Sequence, residues 1–197
     1  MNAIIPGNDF QFDQIGTGPT VLVLHDDPAR QQALLDDCAP LAARLRVVVV
    51  RLDHGVDAGA KVVALMKGLG IGRAVAIAIG TANYTLVNLL EKHSNRIAAA
   101  SFVADRALAQ ALRKHTDEPR IHALLRSGRR ASIARAVARA CPSASTGGAV
   151  REWAARIVDG CRAGIRNCAG VLTGLELPGL IQLDDGEELE EVAADSL

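Results

Sequence analysis

The chain has 197 residues, of which 49% are hydrophobic and 22% charged, and its 22 basic residues balance its 22 acidic ones. This length suits one globular domain with a sizeable core, and the composition argues against a disordered chain. Because the sequence has no long apolar run and no basic, apolar leader at its start, we expect a cytoplasmic protein without a membrane span.

The first half of the sequence alternates apolar strands with amphipathic helices. Residues 10–15 and 21–24 are separated by a glycine-rich break, and this pattern predicts a hairpin of two strands. Helical spacing follows over residues 28–44, 62–69 and 86–93, and apolar strands are predicted at 47–50, 74–79 and 97–103. Strands that alternate with helices predict an α/β fold with an open, mostly parallel sheet.

The second half changes character at Asp105. Residues 106–171 show only helical periodicity, and residues 180–183 then return as one more strand before an acidic end. We divide the single structural domain into a core at 1–105, a helical insertion at 106–175 and a last strand with an acidic helix at 176–197. Residues 106–166 hold 13 Arg or Lys and 4 Asp or Glu, whereas 167–197 hold 8 acidic residues and no basic one.

The four cysteines form no C-x-x-C pair, so we expect buried free thiols at Cys38, Cys141, Cys161 and Cys168. The glycines at 55–61 do not have the spacing of a phosphate-binding loop, and those at 68–72 come before a strand, where they indicate the end of a helix. No cofactor and no metal site is therefore predicted.

The most informative segment is Gly80-Thr81-Ala82-Asn83-Tyr84, which follows a buried strand and opens a helix. In this position it resembles the nucleophile elbow, G-x-S-x-G, of the α/β-hydrolase family. The resemblance extends to Gly18-Pro19 before the strand that ends in His25, to Leu52-Asp53-His54-Gly55, to His93-Ser94-Asn95-Arg96-Ile97 and to Leu177-Pro178-Gly179-Leu180-Ile181. It implies an α/β-hydrolase-like sheet that lacks its last strand and carries a helical cap at 106–175.

Most of the family's catalytic parts are missing under this resemblance. Ala82 stands at the serine position, where a methyl group cannot attack a carbonyl, and Tyr84 replaces the second elbow glycine. Asp26 follows His25 where the family has glycine, and its negative charge opposes the stabilisation of an oxyanion. Asp184 or Asp185 could supply the triad acid, but no histidine follows them.

Several surviving polar residues have both a functional and a structural interpretation. Thr81 could be a displaced nucleophile, or it could bond the local backbone. His25 and His54 could act as bases, or they could satisfy loop carbonyls, and Asp184 could line a pocket or be solvated. The candidate pocket of the sequence comprises His25, Asp26, Thr81, Ala82, Asn83, Tyr84 and Asp184.

The sequence thus predicts a non-catalytic, hydrolase-like protein that binds a small apolar ligand or a protein partner. One alternative is a divergent enzyme with a non-serine mechanism, such as proton transfer assisted by His25. Another is an interaction module whose Arg-rich cap meets an acidic partner, nucleic acid being a minor interpretation with so few aromatic residues. A decayed protein without activity is a fourth. Because the sheet would lack its last strand, we expect a homodimer or a protein complex.

Overall fold

The computed structural model describes residues 11–52, 57–126, 133, 136–137 and 150–158. Its strands form one sheet in the order β1-β3-β2-β4-β5. The strands are β1 (Gln11–Ile15), β2 (Thr20–His25), β3 (Arg46–Arg51), β4 (Ala74–Ile79) and β5 (Ile97–Val103). The helices are α1 (Gln31–Cys38), α2 (Ala58–Gly68), α3 (Ala82–Lys92), α4 (Arg106–His115) and α5 (Pro119–Arg126), and residues 150–158 are also helical.

The interior strands are apolar on both faces, because helices cover the sheet on both sides. Every residue of β4 is buried, as are five of the six residues of β2. β2, β4 and β5 are parallel to their neighbours, and such doubly covered strands carry continuous apolar runs rather than alternating ones. The prediction of a mostly parallel α/β sheet flanked by helices is confirmed for this part of the chain.

The predicted hairpin between the first two strands is wrong. β1 pairs antiparallel with β3, which separates it from β2. The cause is burial: β2 and β3 are apolar on both faces and pair with each other, so the half-polar β1 is left at the edge of the sheet. The guanidinium of Arg46 donates to Gln14 Oε1 at 2.7 Å and helps to fix the register of β1 against β3.

The helices divide between the two faces of the sheet. α1 and the 150–158 helix share one core layer, in which Leu34, Cys38, Trp153 and Ile157 pack on Val21 and Val23. α2 and α3 share the other layer, in which Val62, Leu65, Leu86 and Leu89 pack on Leu22 and Leu24. The connection after β2 therefore leaves the sheet on one face, and the connections after β3 and β4 leave it on the other.

Cys38 is a buried free thiol, as predicted. The indole N–H of Trp153 donates to its Sγ at 3.2 Å, and burial raises the pKa of the thiol to about 12. Cys141, Cys161 and Cys168 lie outside the described residues, as do the predicted strand at 180–183 and the acidic end. Within the described ranges, no helix combines the length and apolarity that a membrane span requires.

Candidate functional site

The strand order creates a crevice between the carboxyl ends of β2 and β4. These strands are neighbours, but the chain leaves β2 towards α1 on one face and leaves β4 towards α3 on the other. In open α/β sheets, such a point of divergence is where ligands bind. The residues that follow the two strands, Asp26 and Gly80, therefore lie at the position where the fold itself predicts a site.

Gly80 forms the strained corner between β4 and α3. Its φ of +64° lies in the left-handed region, which side-chain-bearing residues adopt at a cost, and glycine avoids that cost. Thr81 already has helical dihedral angles, and Ala82 is the first residue of α3, with 3% of its surface exposed. The structure thus does not place Ala82 at the strained corner, where the sequence interpretation put it.

The carboxylate of Asp26, the residue that follows β2, packs against this corner. Asp26 Oδ2 accepts the backbone N–H of Thr81 at 3.0 Å and also the Thr81 hydroxyl in a short hydrogen bond. A Cβ atom on Gly80 would lie only 2.9 Å from Asp26 Oδ1 and 3.4 Å from Oδ2. The half-buried carboxylate of Asp26 thus borders the space that a side chain on residue 80 would need.

The N–H and the hydroxyl of Thr81 therefore bond a side chain 55 residues away. The backbone carbonyl of Thr81 accepts the Tyr84 N–H at 3.0 Å. The structural interpretation of the sequence, that its hydroxyl bonds local backbone, is wrong. The physical reason is that Thr81 is already helical, whereas a residue that caps its own helix normally has extended backbone.

Asn83 and Tyr84 differ in environment although they are adjacent on α3. Asn83 is fully buried, and its Nδ2 donates to the carbonyls of Gly80 at 2.7 Å and Val103 at 3.1 Å, so it ties the ends of β4 and β5 together. Tyr84 is 37% exposed and meets the His115 ring edge to face, with 5.3 Å between ring centroids. Tyr84, which the sequence interpretation placed at the second elbow glycine, therefore lies on the exposed side of α3.

His25, the last residue of β2, is fully buried and held by a polar relay. Its Nε2 bonds Gln31 Oε1 at 2.5 Å, and Gln31 Nε2 donates to Asp13 Oδ2 at 3.1 Å and to the Val49 carbonyl at 3.3 Å. Burial lowers the pKa of His25, and the Gln31 hydrogen bond, the Asp27 backbone and the nearby carboxylates of Asp26 and Asp27 oppose this only in part.

The relay also fixes the tautomer of His25. Since Gln31 Nε2 faces two acceptors, its Oε1 must accept from the imidazole, so Nε2 carries the proton. Nδ1 is therefore unprotonated. It is buried, and among the described residues no partner forms a hydrogen bond of normal geometry with it.

Of the predicted pocket residues, the structure brings His25, Asp26 and Thr81 to the crevice, with Ala82 and Asn83 buried behind the corner. Asp184, Asp185 and His54 lie outside the described residues. Sequence reasoning missed Gly80 as the corner residue, and it missed Gln31 and Asp13. A glycine directly after an apolar strand was the available signal for the first, whereas nothing in the local pattern marks Gln31.

The sequence matches no protein-family model and no curated protein. Among solved structures, an epoxide hydrolase from Vigna radiata is 20% identical with a TM-score of 0.47, covering 53% of this chain and 39% of its own. A laboratory-evolved variant of a potato epoxide hydrolase is 18% identical, with a TM-score of 0.45 and coverage of 52% and 38%.

A putative ancestral haloalkane dehalogenase is also similar, with 17% identity, a TM-score of 0.43 and coverage of 52% of this chain and 40% of its own. The chain spans less than half the length of these three enzymes.

Proposed function

We propose that the chain is a non-catalytic, α/β-hydrolase-like protein that binds a ligand in the crevice between β2 and β4. In a hydrolase elbow the nucleophile occupies the strained residue of the strand-to-helix turn. By backbone geometry that position is Gly80, flanked by the small residues Ala78 and Ala82, and by the sequence pattern it is Ala82. Neither residue has a side chain that can attack substrate.

The hydrogen bond from Thr81 N–H to Asp26 is the single observation that carries this proposal. The N–H of the residue after the nucleophile is normally one of the donors that stabilise the oxyanion. With Gly80 as the corner, that donor is Thr81 N–H, and Asp26 Oδ2 already accepts it at 3.0 Å. A fixed negative charge at this point destabilises the charge that develops in acyl transfer.

The contact between the Thr81 hydroxyl and Asp26 favours a second candidate, a divergent enzyme with Thr81 as nucleophile and Asp26 as base. A hydroxyl nucleophile is commonly activated by a base that a third group orients. His25, which directly precedes Asp26, instead has its Nε2 hydrogen-bonded to Gln31 Oε1. The non-catalytic interpretation is therefore the one that the geometry supports better.

A turnover assay tests the proposal. Purified protein is given p-nitrophenyl butyrate, a terminal epoxide and a bromoalkane, and the products are measured against a buffer blank. We expect no turnover above the blank, and no fluorophosphonate adduct on any residue by peptide-resolved mass spectrometry. Turnover that disappears in Thr81→Ala and in Asp26→Ala, but persists in the control Thr85→Ala, would establish the second candidate instead.

A further inference from the structure

We propose that the outer edge of β5 is a docking site for the chain's own residues 180–183, which pair with it as a further strand of the sheet. This inference does not depend on the proposed function. The observations that carry it are the backbone groups of β5 that point away from β4, a groove along that edge, and the sequence of residues 180–183.

The first observation is the direction of the backbone groups of β5. In the described part of the chain, β5 is the last strand of the sheet and pairs with β4. The carbonyl of Val103 faces β4, since it accepts the Gly80 N–H at 3.4 Å and Asn83 Nδ2 at 3.1 Å. Successive residues of a strand direct their N–H and C=O groups to opposite neighbours. The groups of Phe102 and Ala100 therefore point away from β4.

These outward groups belong to buried residues. Ala100 is 6% exposed and Phe102 5%, and no described strand lies on this side of β5 to bond them. Because buried backbone N–H and C=O groups are almost always paired, their partner has to come from outside the described ranges. An extended backbone supplies a donor and an acceptor at every second residue, which is the spacing that this edge presents.

The second observation is a groove of about 990 Å³ that follows this edge. Its floor includes residues 97–100 of β5, and its walls include Ile121 and Leu124 of α5 as well as Ala136. Ile121 belongs to the core layer of α2 and α3, whereas Ala136 belongs to the layer of α1. The groove therefore lies at the sheet edge between the two helical layers, where a strand would be covered on both faces.

The lining of the groove favours an uncharged occupant with large side chains. Its charged residues balance one another, Arg73 and Arg120 against Glu91 and Glu118, so a charged small molecule would meet both signs. Its floor carries three consecutive alanines at 98–100. Small side chains on one strand leave room for large ones on the next.

The third observation is the sequence Leu-Ile-Gln-Leu at 180–183. It has no charge and is apolar at three of its four positions, and Pro178-Gly179 before it and Asp184-Asp185 after it are the residues that bound strands. A strand between two helical layers needs apolar residues on both faces, and consecutive apolar positions provide them. Residues 159–179 could span about 70 Å from the described helix at 150–158, so they are long enough to reach the groove.

A second copy of the chain is the competing occupant, with the β5 strands of the two copies paired edge to edge. In each copy, α5 and Ala136 border the groove on either side of the edge. The two copies would therefore bring these walls into the same space before their strands came within the spacing of about 4.8 Å that a sheet requires. A segment without helical layers of its own meets no such obstacle.

Amide hydrogen exchange on the full chain, followed by NMR, tests this inference. In the unmodified chain we expect the N–H groups of Ala100 and Phe102 to exchange as slowly as that of Ala99, which faces β4. Ile181→Pro combined with Gln182→Pro prevents strand pairing at 180–183, because proline has no N–H to donate. Exchange at Ala100 and Phe102 should then become at least about tenfold faster, while Ala99 changes little.

Ala193→Pro combined with Ala194→Pro is the matched control, because it places the same two prolines ten residues beyond the proposed strand. It should leave the exchange at Ala100 and Phe102 unchanged.

The occupant is identified by nuclear Overhauser effects in a mixture of isotope-labelled and unlabelled full chains. Contacts between β5 and residues 180–183 should arise within one chain only, and the protection of Ala100 and Phe102 should not depend on protein concentration. This measurement needs no variant, so it decides the question even if the proline variant does not fold.

Three results would overturn the inference. The Ala100 and Phe102 amides could exchange freely in the unmodified chain, their protection could depend on contacts between two copies, or the control prolines could remove it as fully as the prolines at 181 and 182 do.

Discussion

Two neighbouring strands pass into helices in different ways. After β5, Asp105 has extended backbone, and its Oδ1 accepts Leu108 N–H at 2.7 Å, so the start of α4 is capped by its own residue. After β4, Gly80 takes the turn, Thr81 is already helical and makes no local cap, and its donors bond Asp26 across the crevice. A helix start whose donors are satisfied from another strand couples two distant segments, and that coupling builds the site.

The largest expected effect is that of Gly80→Ala. The new Cβ adds a left-handed side chain and approaches Asp26 Oδ1 at 2.9 Å, so we expect a loss of about 2–4 kcal/mol in the free energy of unfolding. Urea denaturation measures it. Gly70→Ala is the matched control, because Gly70 has a φ of +68° but nothing within 4 Å of its Cβ, so only about 1 kcal/mol should be lost there.

Equal losses in Gly80→Ala and Gly70→Ala would show that Asp26 does not border the corner. The two glycines share the backbone conformation, so the difference between their variants isolates the carboxylate.

Protonation of His25 is expected to weaken the fold in acid. Burial holds the pKa of His25 below its ordinary 6.5, so the folded chain keeps a neutral ring while the unfolded chain takes up a proton as the pH falls below 6.5. The stability present above pH 6.5 is then lost by up to about 1.4 kcal/mol per pH unit until the lower pKa is reached.

Urea denaturation between pH 7.5 and about 5 measures this dependence. His25→Gln should flatten the curve over this range. A curve that is unchanged by His25→Gln would mean that the imidazole is accessible to water in the native state.

The two helix starts should also respond differently to the loss of their caps. Asp105→Ala removes a local cap and should cost about 1 kcal/mol, in line with other caps of this kind. This loss should be additive with Thr81→Ala, since the two residues have different hydrogen-bond partners, Leu108 for Asp105 and Asp26 for Thr81.

Asp26→Ala and Thr81→Ala should instead be coupled, by about 0.5–1 kcal/mol, because each removes the partner of the other. A double-mutant cycle measured by urea denaturation gives both values. A coupling of zero between Asp26 and Thr81 would mean that the two donors are satisfied by water.

The strands could be predicted from the sequence because burial on both faces gives them uninterrupted apolar runs. β4 and β5 have the predicted bounds. The position of β1 could not be predicted, because strand pairing joins residues far apart in sequence. The glycine-rich turn between β1 and β2 is compatible with a hairpin and equally with the observed arrangement, in which β3 lies between them.

The corner was misplaced by two residues for a related reason. The elbow pattern has glycines at both ends and a strained residue between them, so the one glycine at position 80 fits either as flank or as corner. Only the backbone angle of Gly80 decides, and it assigns the corner to Gly80. The resemblance did indicate that Asp26 would oppose an oxyanion, but its bond to Thr81, across 55 residues, depends on the parallel pairing of β2 with β4.

Amide NMR tests most directly whether the Asp26 carboxylate accepts the backbone N–H of Thr81. In the unmodified chain the Thr81 amide proton should be shifted downfield and protected from exchange with solvent. In Asp26→Asn it should move upfield further than any amide outside the β2–α1 connection, while Asp105→Asn shifts Leu108 and leaves Thr81 unchanged. A Thr81 amide that exchanges freely, and whose shift is the same with and without the Asp26 carboxylate, would contradict the account.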